Sequence, residues 1–499
     1  MFTIHIHGFI QLQNSTLNFF KYLTYTSAYT FGANQYLYQE FTPKRPEPGK
    51  PNNENNRYQE STNAFNWLWE NTLSFNKSFG KHNVTLLGGY SASYRKNKGF
   101  GLRVYGFNSE DEFARNIVNG NDWNKSKPWE DVSEIAYTSY FSRFSYAFAD
   151  RYFVTASIRR DATSKLYKEN NSGVFPAVSA AWKISSEPFF NALNLSFIDM
   201  FKLRASWGQI GNVNSVPNYS SVVKLVSQRE TMLGNPALRN SGLGLETIPN
   251  LDLTWETSEQ TDFGADFDLF NGKVSVTTDY YIKYTKNLID KIPIASTAGV
   301  MVSPYGNIGK VKNQGFEFSA SYNGNIGELN YKVGGNFSTL NSEVQDLGSR
   351  TLYPNDIKVR GVLSPIYSSV GQPWYSYYLI KSDGIFQTDA EANEHVDKTG
   401  KRIQPNAKAG DLKFIDKNGD GIINDNDREF MGNAMPNVTF GFNAYISYRG
   451  LDFSVLFQGI SGAKIFNAFK STTLTASEQG YNMSKDILGA WSSSKYWLF

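Results

Sequence analysis

Cysteine is absent from the 499 residues. Disulfides, thiolate metal sites and a cysteine nucleophile are therefore excluded. No apolar run approaches the ~20 residues that a membrane-crossing helix requires, and the mean hydropathy is −0.43. An excess of one charge is also missing. The 49 Lys and Arg nearly balance the 46 Asp and Glu, for a net charge of +3, so no electrostatic footprint for nucleic acid is present. GxxxxGK[ST], HExxH and GxSxG do not occur, and nothing marks a carboxylate pair for glycoside hydrolysis. Histidine is scarce too. His5, His7, His82 and His395 are the four, and His5-Ile6-His7 suggests no third ligand. No enzyme is expected. The start, MFTIHIHGFIQLQNST, lacks a basic n-region, and two histidines break its apolar stretch. Residues 1–14 therefore read as an atypical start and not as a signal peptide.

Aromatic residues are what the chain has in plenty, with 37 Phe and 30 Tyr, more than an ordinary soluble core needs. Their spacing is mostly period two. Val438, Phe440, Phe442, Ala444, Ile446 and Tyr448 alternate with Thr439, Gly441, Asn443, Tyr445 and Ser447. Arg449-Gly450 then turns the chain into Leu451, Phe453, Val455 and Phe457, a hairpin with one apolar and one polar face. The unit recurs, with turns expected at Gly80, at Asp150-Arg151, at Asn271-Gly272 and near Gly324.

Three features separate this pattern from a soluble sandwich. Many strands reach ten residues or more, the length of a tilted membrane-spanning strand rather than the usual ~5–6. Connections within pairs are short, whereas those between pairs are long: 32–62, 97–133, 209–255, 287–312 and 342–436. Aromatics such as Tyr90, Tyr94, Tyr146, Phe148, Tyr280 and Tyr284 gather at strand ends, where an interfacial girdle belongs. The fold class is all-β, a transmembrane antiparallel barrel with long extracellular loops. About thirteen strands are expected within residues 15–460, beginning with a lone one near Leu17–Phe31. Barrels of this kind carry an even number, so the first half of that hairpin reads as absent and both ends look cut. Residues 461–499 read as a loop remnant. The terminal Phe499 resembles a closing barrel aromatic, but no alternating strand precedes it.

The stretch 416–427, DKNGDGIINDND, follows the order of a calcium loop. Asp416, Asn418 and Asp420 stand at positions 1, 3 and 5, and Gly421 stands at the sharp turn. Ile422 offers its carbonyl at 7, Asn424 stands at 9 and Asp427 at 12. A hard cation such as Ca2+ wants this many oxygens at this spacing. The alternative is an ion-free turn rich in Asp, Asn and Gly. The flanks show no amphipathic helices, so a switching EF-hand is not expected. Flat aromatics in the loops suit stacking on sugar rings. Trp374, Tyr375, Tyr377 and Tyr378, with Trp123 and Trp129, are the candidates, and loop–loop packing is the plain alternative.

Several long segments resemble, in order, the SusC/RagA-type TonB-dependent outer-membrane transporters. They are RYFVTASIRRDATSKL (151–166), FKLRASWGQIGN (201–212), LDLTWETSEQTDFGADFDLFNGKVSVTTDYY (251–281), NIGKVKNQGFEFSASY (307–322) and the region from Gly410 to Asn467. The resemblance covers residues 15–470. It implies a 22-stranded barrel in a Gram-negative outer membrane of the Bacteroidetes kind, surrounded by lipid. It also implies a SusD-like lipoprotein lid, energy from the TonB complex acting through a plug domain, and import of an oligosaccharide or peptide. No plug, TonB-box or final-strand stretch is recognisable here, so a fragment unable to transport alone is expected. A soluble or cell-surface β-rich carbohydrate-binding protein with a calcium-stiffened loop is the alternative.

Overall fold

A computed structural model describes residues 2–47, 51–234, 238–292, 294–348, 350–355, 364–474 and 482–492. Phe499 lies outside them. The chain forms two compact units, residues 1–337 with 441–457 and residues 338–440 with 458–499.

Fourteen strands lie side by side in one sheet, in sequence order. The first eight are Phe2–Phe19, Leu23–Thr42, Asn56–Phe79, His82–Phe107, Pro128–Phe148, Tyr152–Thr163, Ser172–Lys183 and Ile198–Asn212. Glu256–Leu269, Val274–Lys291, Tyr305–Ile326, Leu329–Thr339, Val438–Tyr448 and Leu451–Ser461 follow. The ladder is antiparallel throughout its registered pairs. Hairpin turns use the left-handed backbone that short loops demand. Arg449 (φ 47°) and Gly450 (φ 82°) form one, and Gly80 (φ 60°) opens another.

Register explains the two faces. Tyr146, Val154, Ala180, Ala205, Phe263, Tyr280 and Phe316 are successive cross-strand partners. They make one apolar row across seven strands, and among the described residues no second layer covers it: Phe263 is 57% exposed and Val154 39%. One residue along, Ser145, Thr155, Ser179, Ser206, Asp262 and Tyr281 form the matching row on the other face. Its polar groups meet each other, as when Ser206 Oγ donates to Asp262 at 3.4 Å.

Three expectations are corrected. The strand near Leu17–Phe31 is not alone. Phe2–Phe19 pairs with it along its whole length, from Phe2 opposite Glu40 to Phe19 opposite Leu23. The alternation of Phe2, Ile4 and Ile6 with Thr3, His5 and His7 was signal enough. Residues 2–14 are therefore strand, and among the described residues the sheet path has fourteen strands, close to the expected thirteen. Second, much of the expected loop 32–62 is ladder, leaving only 43–55, and the ladder likewise takes the ends of 97–133. Strands of 24 and 26 residues are about 80 Å long at ~3.3 Å per residue, far more than the ~30 Å of hydrocarbon. Beyond that belt the alternation of apolar and polar fades, so pattern reading stops while backbone pairing continues. Third, the turn placed near Gly324 lies at Gly327 (φ 60°). Gly324 is inside a strand, where the Tyr331 ring crosses it and a Cβ would lie 2.9 Å from Cε2.

That close approach recurs. The ring of Phe141 lies over its cross-strand partner Gly89, and the Trp129 indole lies over Gly99 and its partner Gly101. Glycine leaves a gap in the surface, and the aromatic on the neighbouring strand fills it. Phe263→Arg on the bare apolar row is expected to cost roughly 2–4 kcal/mol in denaturant titration of the protein folded into phospholipid vesicles. Ser179→Arg on the polar face is expected to cost far less in the same titration.

Candidate functional site

On the polar face of the first unit, charges are organised around one glycine. Gly264 sits between Arg204 on one neighbouring strand and Asp279 on the other. All three side-chain positions share a face, so Arg204 and Asp279 meet over the glycine. The guanidinium donates to Asp279 Oδ2 at 2.7 Å and reaches Asp266 through Nε at 3.1 Å. Lys202 adds a second cation 3.8 Å from Asp266. A Cβ at position 264 would lie 2.7 Å from Arg204 Cζ, so a side chain there would push the guanidinium out of its present place. Arg143, Gln260, Asp262 and Lys283 line a shallow concavity of about 440 Å³ beside it. This is a hydrated surface of paired charges and hydroxyls, suited to lining an aqueous passage. Sequence reading missed it. Charges at one parity on three consecutive strands, with a glycine in the middle strand, were the available signal.

The calcium-like stretch belongs to the second unit. Strands Leu412–Phe414 and Arg428–Asn433 flank it, in line with the expected lack of EF-hand helices. Its side chains hold its own backbone. Asp416 accepts from the N–H groups of Gly419 (2.7 Å) and Gly421 (2.8 Å). Asn418 accepts from Asp420 N–H at 2.9 Å, and Asp420 from Ile422 N–H at 2.9 Å. Asn424 accepts from Asn426 N–H at 2.8 Å. Asp427 closes the loop: its two oxygens accept from Lys417 N–H (3.0 Å) and Asn424 N–H (2.8 Å), and it is 1% exposed. Gly419 and Gly421 take φ of 74° and 80°, which glycine adopts without strain. Among the described residues, no three acidic or imidazole groups converge as a metal cluster. Each carboxylate oxygen has two lone pairs, so these amide bonds leave acceptor capacity on Asp416 and Asp427.

Asp397 stands next to this loop, with Oδ2 2.6 Å from where a Gly421 Cβ would be. The Thr399 hydroxyl and the Lys401 N–H on its other oxygen hold its carboxyl below the usual range. Burial pushes the nearby His395 imidazole down, with the Lys413 charge adding to it.

The four aromatic candidates in the second unit divide. Tyr377 is buried; its hydroxyl donates to the Lys464 carbonyl and accepts from Phe466 N–H, both at 3.3 Å. Tyr378 lies against Phe430, with ring centroids 4.7 Å apart, and against Tyr367 at 5.3 Å. Both serve loop packing. Trp374 stacks on Tyr353 at 6.2 Å, and Tyr375 remains half exposed with φ 61°. Trp123 is likewise half exposed, while Trp129 is committed to its glycines and donates to the Tyr58 hydroxyl at 3.2 Å.

Asp427→Ala removes the acceptor shared by the part-buried N–H bonds of Lys417 and Asn424, at about 0.5–1.5 kcal/mol for each lost hydrogen bond. Amide hydrogen exchange is expected to quicken at those two positions and to stay unchanged in the strand Tyr152–Thr163.

Comparison with known proteins agrees with this architecture. Residues 6–377 match the family model described as TonB dependent receptor-like, beta-barrel. A TonB-dependent receptor of Formosa agariphila is 32% identical over 82% of this chain and 40% of its own length. The TonB-dependent receptor SusC of Bacteroides thetaiotaomicron is 27% identical over 68% of this chain and 33% of its own. The solved structure of the RagAB peptide transporter superposes with a TM-score of 0.81 at 22% identity, covering 99% of this chain and 52% of that one. The chain thus spans less than half the length of these curated relatives. The resemblance to SusC/RagA-type proteins read from the sequence is borne out, and the chain belongs to the family of TonB-dependent receptor-like β-barrels, whose place is the outer membrane.

Proposed function

We propose that this chain supplies barrel wall to an outer-membrane importer of an oligosaccharide or peptide, energised through TonB and lidded by a SusD-like lipoprotein. One observation carries the reading. The apolar rows stand bare on one face of the sheet, while the other face holds paired charges and hydroxyls, the arrangement of a wall between hydrocarbon and a water-filled lumen. Membership of a TonB-dependent receptor-like family supports the coupling to TonB, and the lipoprotein lid is what the resemblance to SusC/RagA-type transporters implies. Transport is a property of the whole assembly; the residues described here contribute the lumen surface and the strand-end connections. A soluble carbohydrate-binding protein would leave the Val154–Phe263 row facing water, so that alternative is set aside.

Fractionation of producing cells is expected to place the chain in the outer membrane, with gel migration that changes on heating. Recovery from the soluble fraction, with migration unaffected by heat, would sink the reading.

We further propose that the 416–427 loop holds a hard cation such as Ca2+, through the oxygens of Asp416, Asn418, Asp420, Asn424 and Asp427 and the Ile422 carbonyl. The ordered donor set and the spare lone pairs support it. Calcium is expected to slow protease cleavage near residue 420 relative to chelator, and equal rates would count against ion binding.

A further inference from the structure

In the first unit, three connecting segments at the strand ends enclose a cavity of about 160 Å³. Their stretches that line it are 217–224, 246–253 and, in the third, Lys291 with 302–305. The segments are tied to one another. Glu246 N–H donates to the Lys224 carbonyl at 3.0 Å, and the Glu246 carbonyl accepts from Met301 (3.0 Å) and Val302 (2.8 Å).

The first segment is also pinned to the rest of the unit at three consecutive residues. Asn218 Nδ2 donates to Ser133 Oγ at 2.6 Å, the Tyr219 hydroxyl accepts from Glu134 N–H at 2.9 Å, and Ser220 Oγ donates to the Lys165 carbonyl at 2.8 Å. These bonds hold Tyr219 at φ 63°, a backbone region that non-glycine residues avoid unless their surroundings impose it. Below the cavity, Leu253 belongs to a buried cluster with Leu166, Phe175, Val216 and Trp255, and Tyr305 packs against it. The cavity is therefore preformed on a rigid base, the condition under which a site binds without an ordering cost.

Its chemistry is specific. Lys224, Lys291 and Glu246 are its charged lining, a surplus of one cation. Glu246 lies 3.9 Å from Lys224, a loose pair. Lys291 ends its strand opposite Tyr305, and its ammonium has no partner among the described residues. The polar amide of Asn250 is already taken, by the Tyr305 carbonyl at 3.0 Å and the Asp252 N–H at 3.1 Å. Ile248, Leu253, Val302 and Pro304 supply apolar wall. Thr247 and Ser303 add hydroxyls to the lining. A carboxylate joined to an apolar group would satisfy both parts, with the charge on Lys291 and the apolar group in the cavity.

We propose that this cavity is a subsite for the carboxylate of an amphipathic acidic ligand, held by Lys291 with Lys224 and seated on Leu253 and Tyr305. The proposal rests on the uptake reading and adds a charge preference to it. Two sources carry this chemistry, a peptide whose free carboxyl end adjoins an apolar side chain and an oligosaccharide whose uronic acid sets its carboxylate beside the C–H face of the sugar ring.

The test is calorimetry on the detergent-solubilised full chain with two matched probe pairs. One pair is a leucine-ended tripeptide and its C-terminal amide. The other is a trigalacturonate and its methyl ester. At least one acid is expected to bind about tenfold more tightly than its neutral partner, and whichever acid does so identifies the source. Lys291→Gln should erase that preference, and Lys291→Arg should keep it. Equal binding of acid and neutral partner overturns the proposal, as does an acid affinity that Lys291→Gln leaves unchanged. Heat-modifiable migration of each variant reports folding separately. A chain that inserts in the outer membrane without acid preference sinks this proposal alone; a chain that does not insert sinks the uptake reading, while the calorimetry still decides the cavity.

Discussion

A peptide group in hydrocarbon must find its hydrogen-bond partner within the protein, because no water is present to substitute. The rest of the first unit depends on that constraint. It requires an unbroken ladder, and the antiparallel register from Phe2 to Ile326 provides one. Once the ladder is continuous, side-chain parity is fixed, since successive residues point to opposite faces. A slip of one residue would send Phe263 into the polar row and Asp262 into the bare one. Register, and not a packed interior, therefore decides which residues meet lipid and which meet water. The buried apolar cores that do exist are small. The cluster of Leu166, Phe175, Val213, Val216, Leu253, Trp255 and Ile289 is one, and Phe41, Val104 and Phe107 form another. They lie at strand ends and in the connections, where a sheet face alone cannot order the chain.

The division between bare rows and small cores also explains what could be read from the sequence. Alternation was legible wherever one face was strictly apolar. The hairpins around Arg449-Gly450 and Asn271-Gly272 were placed correctly because Phe, Val and Tyr recur at every second position beside a left-handed turn. The same signal weakens along Leu23–Thr42 and Asn56–Phe79. There Tyr36 stacks on Tyr38, which meets Tyr58 at a tilt, among Gln, Glu and Asn, so the ladder outruns the pattern. Gly324 misled for a related reason. A glycine in a sheet marks a turn or a close approach, and only the position of Tyr331 separates the two.

Sites were less legible than strands. The order of oxygens from Asp416 to Asp427 is visible in the sequence, but the N–H partners that each side chain takes are not. Tyr377 and Tyr378 could not be told from Trp374 and Tyr375 by type or spacing, because a fold-specific partner such as Phe430 or the Lys464 carbonyl decides between packing and exposure. The Arg204 bridge and the cavity beside Lys291 draw on residues far apart in the chain, which no local window brings together.

The narrow gap over Gly264 constrains how this sheet can change through descent. Every other amino acid at that position carries a Cβ that meets the ends of the Arg204 and Asp279 side chains, so replacement there makes both ends shift and loosens the bridge between them. A lineage that leaves glycine gives up this bridge unless the two partners find another route to each other, which ties the choice of residue on three neighbouring strands together.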